Sequence, residues 1–292
     1  MNFFNIISQL AEVDSDVMGR LDTRRAVFSS ITSVGKRTAQ AAAPALLASF
    51  FSKAYAGTTA GDPKEVFNYA LTLELLEADF YKKVIASPLF LTAPAAAQAA
   101  IRQISKHEDS HVSLLRAVVS GIGGTPVTNI TFKQATFNSL ISFYGDGTTT
   151  GDASSILGVA QLLEDTGVRA YKGRAADLLG LADVTIGGAV YNPLETALRI
   201  HSVEARHASH IRYMRSALNP ATTPWITGAG NLDTQPHYTG ATPESNVTQS
   251  GVNLTTGLGT AYTAADVAAS FDEILTVAEV TDASRAGGLI GA

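Results

Sequence analysis

The chain has 292 residues, enough for one large domain or two modest ones, with 46% hydrophobic residues, 8% aromatics and a formal net charge of −5. This Ala-rich, aromatic-poor composition favours helices over sheet, because Ala has the highest helix propensity. The mild charge without a basic block argues against a nucleic-acid partner; the absence of cysteine excludes disulfides, thiolate zinc sites, iron–sulfur clusters and a Cys nucleophile; no apolar run reaches the about 18 residues of a transmembrane helix.

Residues 1–57 differ in character from the rest of the chain. Arg24 and Arg25 precede an apolar run at Ala41–Phe51, and Ala54-Tyr55-Ala56 then leads to Gly57. A basic region, an apolar run and an A-x-A site are the parts of a signal peptide, and the paired arginines resemble a twin-arginine signal, which predicts export to the periplasm. Lys36 and Arg37 interrupt that pattern, and Phe4, Ile7, Leu10 and Val13 have amphipathic-helix spacing. The alternative is therefore an uncleaved N-terminal arm on a cytoplasmic protein.

Four helical segments lie within residues 62–218. The first, about 63–87, opens with Asp62 as N-cap and Pro63 in the first turn, and Val66, Tyr69, Ala70, Leu73, Leu76, Phe80 and Val84 recur at three- and four-residue steps. The second, about 94–120, carries Ile101, Ile104, Val112, Leu115 and Val119 and stops at Gly121-Ile122-Gly123-Gly124. The third spans about 152–179 and the fourth about 192–218. Segments one and two, and three and four, are joined by short connections, whereas about 30 residues separate the second from the third. The pattern predicts an all-α, antiparallel four-helix bundle with one long crossover.

Five of the six histidines lie in segments two and four: His107, His111, His201, His207 and His210. Glu108-Asp-Ser-His111 and Glu204-Ala-Arg-His207 are both E-x-x-H, and residues three apart share a helix face, so each motif offers an oxygen and a nitrogen to one point. Chance would give about 0.2 such motifs in a chain of this composition, so two, both in helices, mark a site. Segments one and three add Glu74 and Glu164, each followed seven residues later by a tyrosine, Tyr81 and Tyr171. Seven residues is nearly two turns, so each hydroxyl lies on its glutamate's face and can bond a carboxylate of the site.

The order Glu, E-x-x-H, Glu, E-x-x-H supplies a ligand set for two divalent cations: Glu74, Glu108, His111, Glu164, Glu204 and His207. Two divalent ions would balance four buried carboxylates, and the donor types suit iron or manganese over copper, iron being preferred. Glu77 shares the face of Glu74 and is an alternative ligand or a supporting group, and His201 is a supporting or entry-path group. Gly167, one turn after Glu164, leaves space for a small oxidant or simply a helix contact. His107 and His210 are read as solvent-facing or flanking, and Asp79, Asp109 and Asp165 as surface charges.

The stretch Leu71-Thr-Leu-Glu-Leu-Leu-Glu-Ala-Asp-Phe-Tyr81 resembles the first helix of the ferritin-like family that includes desiccation-related proteins, and the resemblance covers about residues 62–218. It implies the bundle fold and a di-metal carboxylate site. Oxygen or peroxide redox chemistry of the ferroxidase or peroxidase kind is then the first functional reading. A manganese catalase-like enzyme is a second reading. A non-enzymatic stress protein, whose metal site only holds helices together, is a third. Expected partners are metal ions with O2 or peroxide, and a homo-oligomer is allowed.

Residues 219–292 form a C-terminal extension. Its first part, to 262, is rich in Gly, Thr, Pro and Asn, which predicts irregular chain draped over the bundle by Trp225, Ile226, Tyr238, Val252 and Leu254. Short helices are expected near 264–270 and 276–282. No chemical motif is visible in it.

Overall fold

The structure is a computed structural model, and it describes residues 62–145, 153–218, 222–227, 232, 235–257 and 262–291. The export signal or arm expected in residues 1–57 lies outside the described residues.

Four long helices dominate: α1 (Pro63–Ala86), α2 (Ala95–Gly121), α3 (Ile156–Arg174) and α4 (Pro193–Ser216). Their starts follow local chemistry. The Asp62 side chain accepts from the Lys64 amide with Pro63 in the first turn, and Asn192 accepts from Glu195 with Pro193 likewise placed. α3 starts later than its periodicity suggests, because extended Ser155 caps it through the Gly158 amide. It also ends sooner, tightening into a 3-10 turn at Ala175–Leu178.

Two apolar clusters fix the helix directions. One gathers Phe80, Tyr81 and Val84 from the end of α1, Ala97, Ile101 and Ile104 from the start of α2, Ile156 and Leu157 from the start of α3, and Ile211 and Met214 from the end of α4. The other holds Val66, Phe67 and Leu71 from the start of α1, Val112, Leu115 and Val119 from the end of α2, Tyr171 from the end of α3, and Ala197 and Ile200 from the start of α4. α1 and α2 are thus antiparallel, as are α3 and α4, while α2 and α3 begin at the same end. A chain leaving α2 must cross the whole bundle before α3 can begin, which is why the crossover is long. Within it, Thr131–Phe132 pairs antiparallel with Ile290–Gly291 near the C-terminus.

The C-terminal extension divides into two parts. Val247–Ser270 belongs to a separate unit, whose described residues hold a hairpin of Thr248–Gln249 with Val252–Asn253. Ser250 and Gly251 turn that hairpin at positive φ. A helical turn at Ala264–Ala268 is closed by a Thr263–Asp266 capping box.

Residues 235–246 and 271–291 belong with the bundle. Arg169 of α3, fully buried, anchors them. Its guanidinium donates to the carbonyls of His237, Thr242, Glu273 and Ile274, and its Nε lies 2.8 Å from Glu244 Oε1. The Leu275 amide returns a bond to the Arg169 carbonyl. Gly173 lets this strap lie close, since a Cβ there would overlap the Leu275 carbonyl oxygen. The strap covers the back of α3, and every residue of that helix from Ile156 to Tyr171 is buried.

Removing Arg169 leaves those carbonyls and the Glu244 carboxyl buried without their donor, so Arg169→Met is expected to cost about 3–5 kcal/mol in urea unfolding. Gly173→Ala should also destabilise, although the same change in an open helix gains about 1 kcal/mol. A Gly173→Ala variant as stable as the parent would show that the strap is not seated there.

Candidate metal centre

Each long helix brings its carboxylate to the level between the two apolar clusters. Glu74, Glu108, Glu164 and Glu204 are all completely buried, and His111 and His207 nearly so. Helical spacing does the local work: Glu108 and His111, three apart on α2, are turned to one point, and Glu204 and His207 repeat the geometry on α4.

Around His111, the Nδ1 atom lies 3.0 Å from Glu74 Oε2, 3.1 Å from Glu108 Oε2 and 3.2 Å from Glu204 Oε1. Around His207, Nδ1 lies 3.0 Å from Glu108 Oε1, 3.1 Å from Glu164 Oε2 and 3.9 Å from Glu204 Oε2. Two overlapping groups result, Glu74–Glu108–His111–Glu204 and Glu108–Glu164–Glu204–His207, each with donor atoms within 4.8 Å of one another. Glu108 and Glu204 belong to both, and each turns one oxygen to each group. All six side chains singled out from the sequence are brought together.

The outer oxygens of the two remaining glutamates are held by tyrosines, in a crossed pattern. Tyr81 of α1 donates to Glu164 Oε1 of α3 at 2.5 Å, and Tyr171 of α3 donates to Glu74 Oε1 of α1 at 2.5 Å. Each tyrosine thus serves the glutamate of the other half and not the one seven residues before it. Burial pushes both phenols well above their ordinary range, with the charge of the carboxylate partner adding to it, so they act as neutral donors.

The donor set fits cations. Glu108 Oε1 and both oxygens of Glu204 are buried without a well-formed hydrogen bond. Such carboxylate oxygens are costly unless neutralised. The charge pattern shows protons doing so in the metal-free protein. Burial pushes the Glu74 carboxyl up to about 7 against its bond to His111, and burial with the charges of Glu108, Glu74 and Glu164 pushes Glu204 well above the carboxylate range. Burial opposes the charged form of both imidazoles, but Glu108 and Glu74 hold His111 up at about 10, and Glu164 and Glu108 do the same for His207.

Glu77 is buried beside the cluster but enters neither group. Burial first, then the charges of Glu164 and Glu74, raises its carboxyl well above the usual range. A Cβ at Gly167 would meet Glu77 Oε1 at 3.4 Å and Glu204 Oε2 at 3.5 Å, so Gly167 leaves room for about one methyl against those two carboxyls. His201 is held elsewhere: its Nδ1 donates to the Val168 carbonyl at 3.0 Å, so its partner is backbone of α3. His210 packs against Tyr213.

Two readings of the sequence need correction. Asp165 is not a surface charge. It is buried, with Oδ1 accepting from Arg212 at 2.9 Å and Oδ2 bonded to both Arg212 and the Tyr238 hydroxyl, while Gln161 donates to that hydroxyl at 2.8 Å. The C-terminal extension therefore does carry polar chemistry, in Tyr238 and Glu244. The signal available in the sequence is confined to the first eight residues of α3, Ile156–Leu163, which carry no charge and are mostly apolar on every face, as in a buried helix, immediately before Glu164 and Asp165.

A model of the ferritin-like domain family matches residues 62–217, a little over half of the chain and all four long helices. Comparison with curated proteins gives no match, nor does comparison with solved structures. No described helix is long and apolar enough to cross a membrane.

Because His111 and His207 are held protonated near neutral pH, divalent cations must displace those protons to use the imidazole nitrogens. Loading at pH 7 should release at least about two protons per chain, and affinity should fall as pH is lowered from 8 to 6. Calorimetry in buffers of different ionisation enthalpy reads this directly, and pH-independent binding would contradict the charge assignment.

Proposed function

The chain belongs to the ferritin-like domain family, and we propose that its bundle holds two divalent cations, iron in preference to manganese, for redox chemistry with O2 or peroxide. The observation that carries this reading is the sharing of Glu108 and Glu204 between two histidine-containing groups, because carboxylates that give one oxygen to each of two points suit a pair of cations and not one. Iron at such a site would supply one-electron steps that pair into reduction of oxygen or peroxide.

The residues around the donor set have separate tasks. Tyr81 and Tyr171 fix the outer oxygens of Glu164 and Glu74, leaving the inner oxygens Glu164 Oε2 and Glu74 Oε2 directed at His207 and His111. The apolar clusters at either end exclude water and strengthen every electrostatic contact between them. Glu77, whose carboxyl favours its protonated form, can hold a proton beside Glu204 without adding charge. Gly167 borders these two carboxyls and, with no side chain of its own, lets them approach the backbone of α3.

Export in folded form would suit a protein that must acquire its ions before leaving the cytoplasm, and on this reading the signal within residues 1–57 is removed by cleavage after Ala56. N-terminal sequencing of native protein should then begin near Gly57; an intact Met1 would argue for the arm.

The functional test is direct. An anomalous-scattering map of crystals grown with iron should show two separate peaks at the six side chains, and stopped flow should show oxidation of Fe(II) by O2 or peroxide. Glu108→Gln with Glu204→Gln should abolish both. Protein that never takes up iron or manganese would sink the reading. Two bound ions with no turnover, whose chelation unfolds the bundle, would make the site structural. Oxygen evolution from peroxide by manganese-loaded protein would instead identify a catalase.

A further inference from the structure

The two halves of the cluster repeat in the sequence; the repeat fails at Glu77, matched by Gly167, and at His107, which touches the imidazole of His207. His107 precedes Glu108, whereas the matching position before Glu204 is Val203. His107 reaches from α2 to α4, where its Nδ1 lies 2.9 Å from His207 Nε2. The two rings are within 9° of parallel with centroids 5.1 Å apart. A 2.9 Å approach is closer than the about 3.5 Å of stacked carbon planes, so the rings meet edge to edge. A lone pair in the plane of one ring then faces an N–H bond in the plane of the other. On its far side, His107 Nε2 lies 2.7 Å from Nε2 of the Gln103 amide, one turn earlier on α2, where the amide nitrogen and oxygen are interchangeable by a flip.

Proton inventory gives this chain of bonds a direction. A neutral imidazole carries one N–H. When His207 Nδ1 offers its lone pair to the donor set, the proton resides on Nε2 and is donated to His107 Nδ1. His107 must then carry its own proton on Nε2, and Gln103 accepts it by turning its amide oxygen inward, since the amide can reverse. Every group from His207 to Gln103 has one compatible tautomer. His111 differs: its described bonds are at Nδ1, to Glu74 and Glu108, and the valine at the matching position has no lone pair to offer.

We propose that His107 is a positioning residue that fixes the tautomer and ring orientation of His207, so that the group containing His207 binds its cation more tightly than the group containing His111. The inference rests on the di-metal reading and adds an order to it: the His207 group fills first. Hydrogen-bond partners on the far nitrogen of a ligating histidine are worth about 10–100-fold in metal affinity, enough to separate two positions whose six donors repeat.

The test is a titration of the metal-free full chain with Co(II), followed by visible absorption and by competition with a chelator, for wild type, His107→Ala and His107→Asn. Wild type should bind two ions in distinct steps. His107→Ala should weaken the tighter step about 10–100-fold and leave the weaker step unchanged. His107→Asn, whose amide oxygen can take the place of Nδ1, should recover most of the loss. A purely structural role for His107 would weaken both steps together and would not be rescued by Asn, and that pattern overturns the proposal. So does a His107→Ala isotherm that overlays wild type, or a wild type with two steps of equal affinity. A wild type that takes up no cobalt overturns the metal reading and this inference with it.

Discussion

A carboxylate leaving water for a helix-bundle interior loses its hydration, and that loss is tolerated only where compensating charge or donors await it. Glu74, Glu108, Glu164 and Glu204 meet this condition in an unusual way. Their ion-pair partners are two histidines, their outer oxygens are met by two tyrosines, and three of their oxygens have no well-formed hydrogen bond. Protons neutralise the group in the metal-free protein. Cations would do so with less strain, because one ion can satisfy several oxygens at once whereas each proton satisfies one or two. The bundle is arranged to keep this layer dry, with apolar clusters above and below it and the C-terminal strap behind α3.

The long crossover and the strap serve the same end. α2 and α3 start at one end of the bundle, so the intervening chain must traverse it, and the traversing segment is pinned by pairing with the C-terminus. A second buried network, Asp165 with Arg212, Tyr238 and Gln161, begins one residue past Glu164 on α3. It meets its charges within the protein, by a guanidinium and a phenol, and shows what a carboxylate of α3 looks like when it is built for support and not for ligands.

Much of this is legible from the chain alone. Asp62, Pro63 and Pro193 mark helix starts, the interval between segments two and three requires a crossover, and three-residue spacing puts Glu108 with His111 and Glu204 with His207. Periodicity says which face a residue occupies but not which neighbour that face meets. Hence spacing turns Tyr81 toward the carboxylates without revealing that its partner sits on another helix, and it points His201 toward the site although that ring turns to the Val168 carbonyl. Asp165 escapes sequence reasoning for the same reason: only the fold brings Tyr238 of the strap to it, across a separation of 73 residues.

The crossed tyrosines carry a lesson about ancestry and design. Neither helical hairpin owns a complete set of donors; each lends one glutamate to both groups and one phenol to its opposite number. Two copies of either hairpin, related by a twofold axis, would regenerate the whole arrangement. The present chain therefore reads as a covalently joined dimer of half-bundles. Tethering frees the halves from the identity that symmetry imposes, and the histidine on one side facing a valine on the other is a place where that freedom has been used.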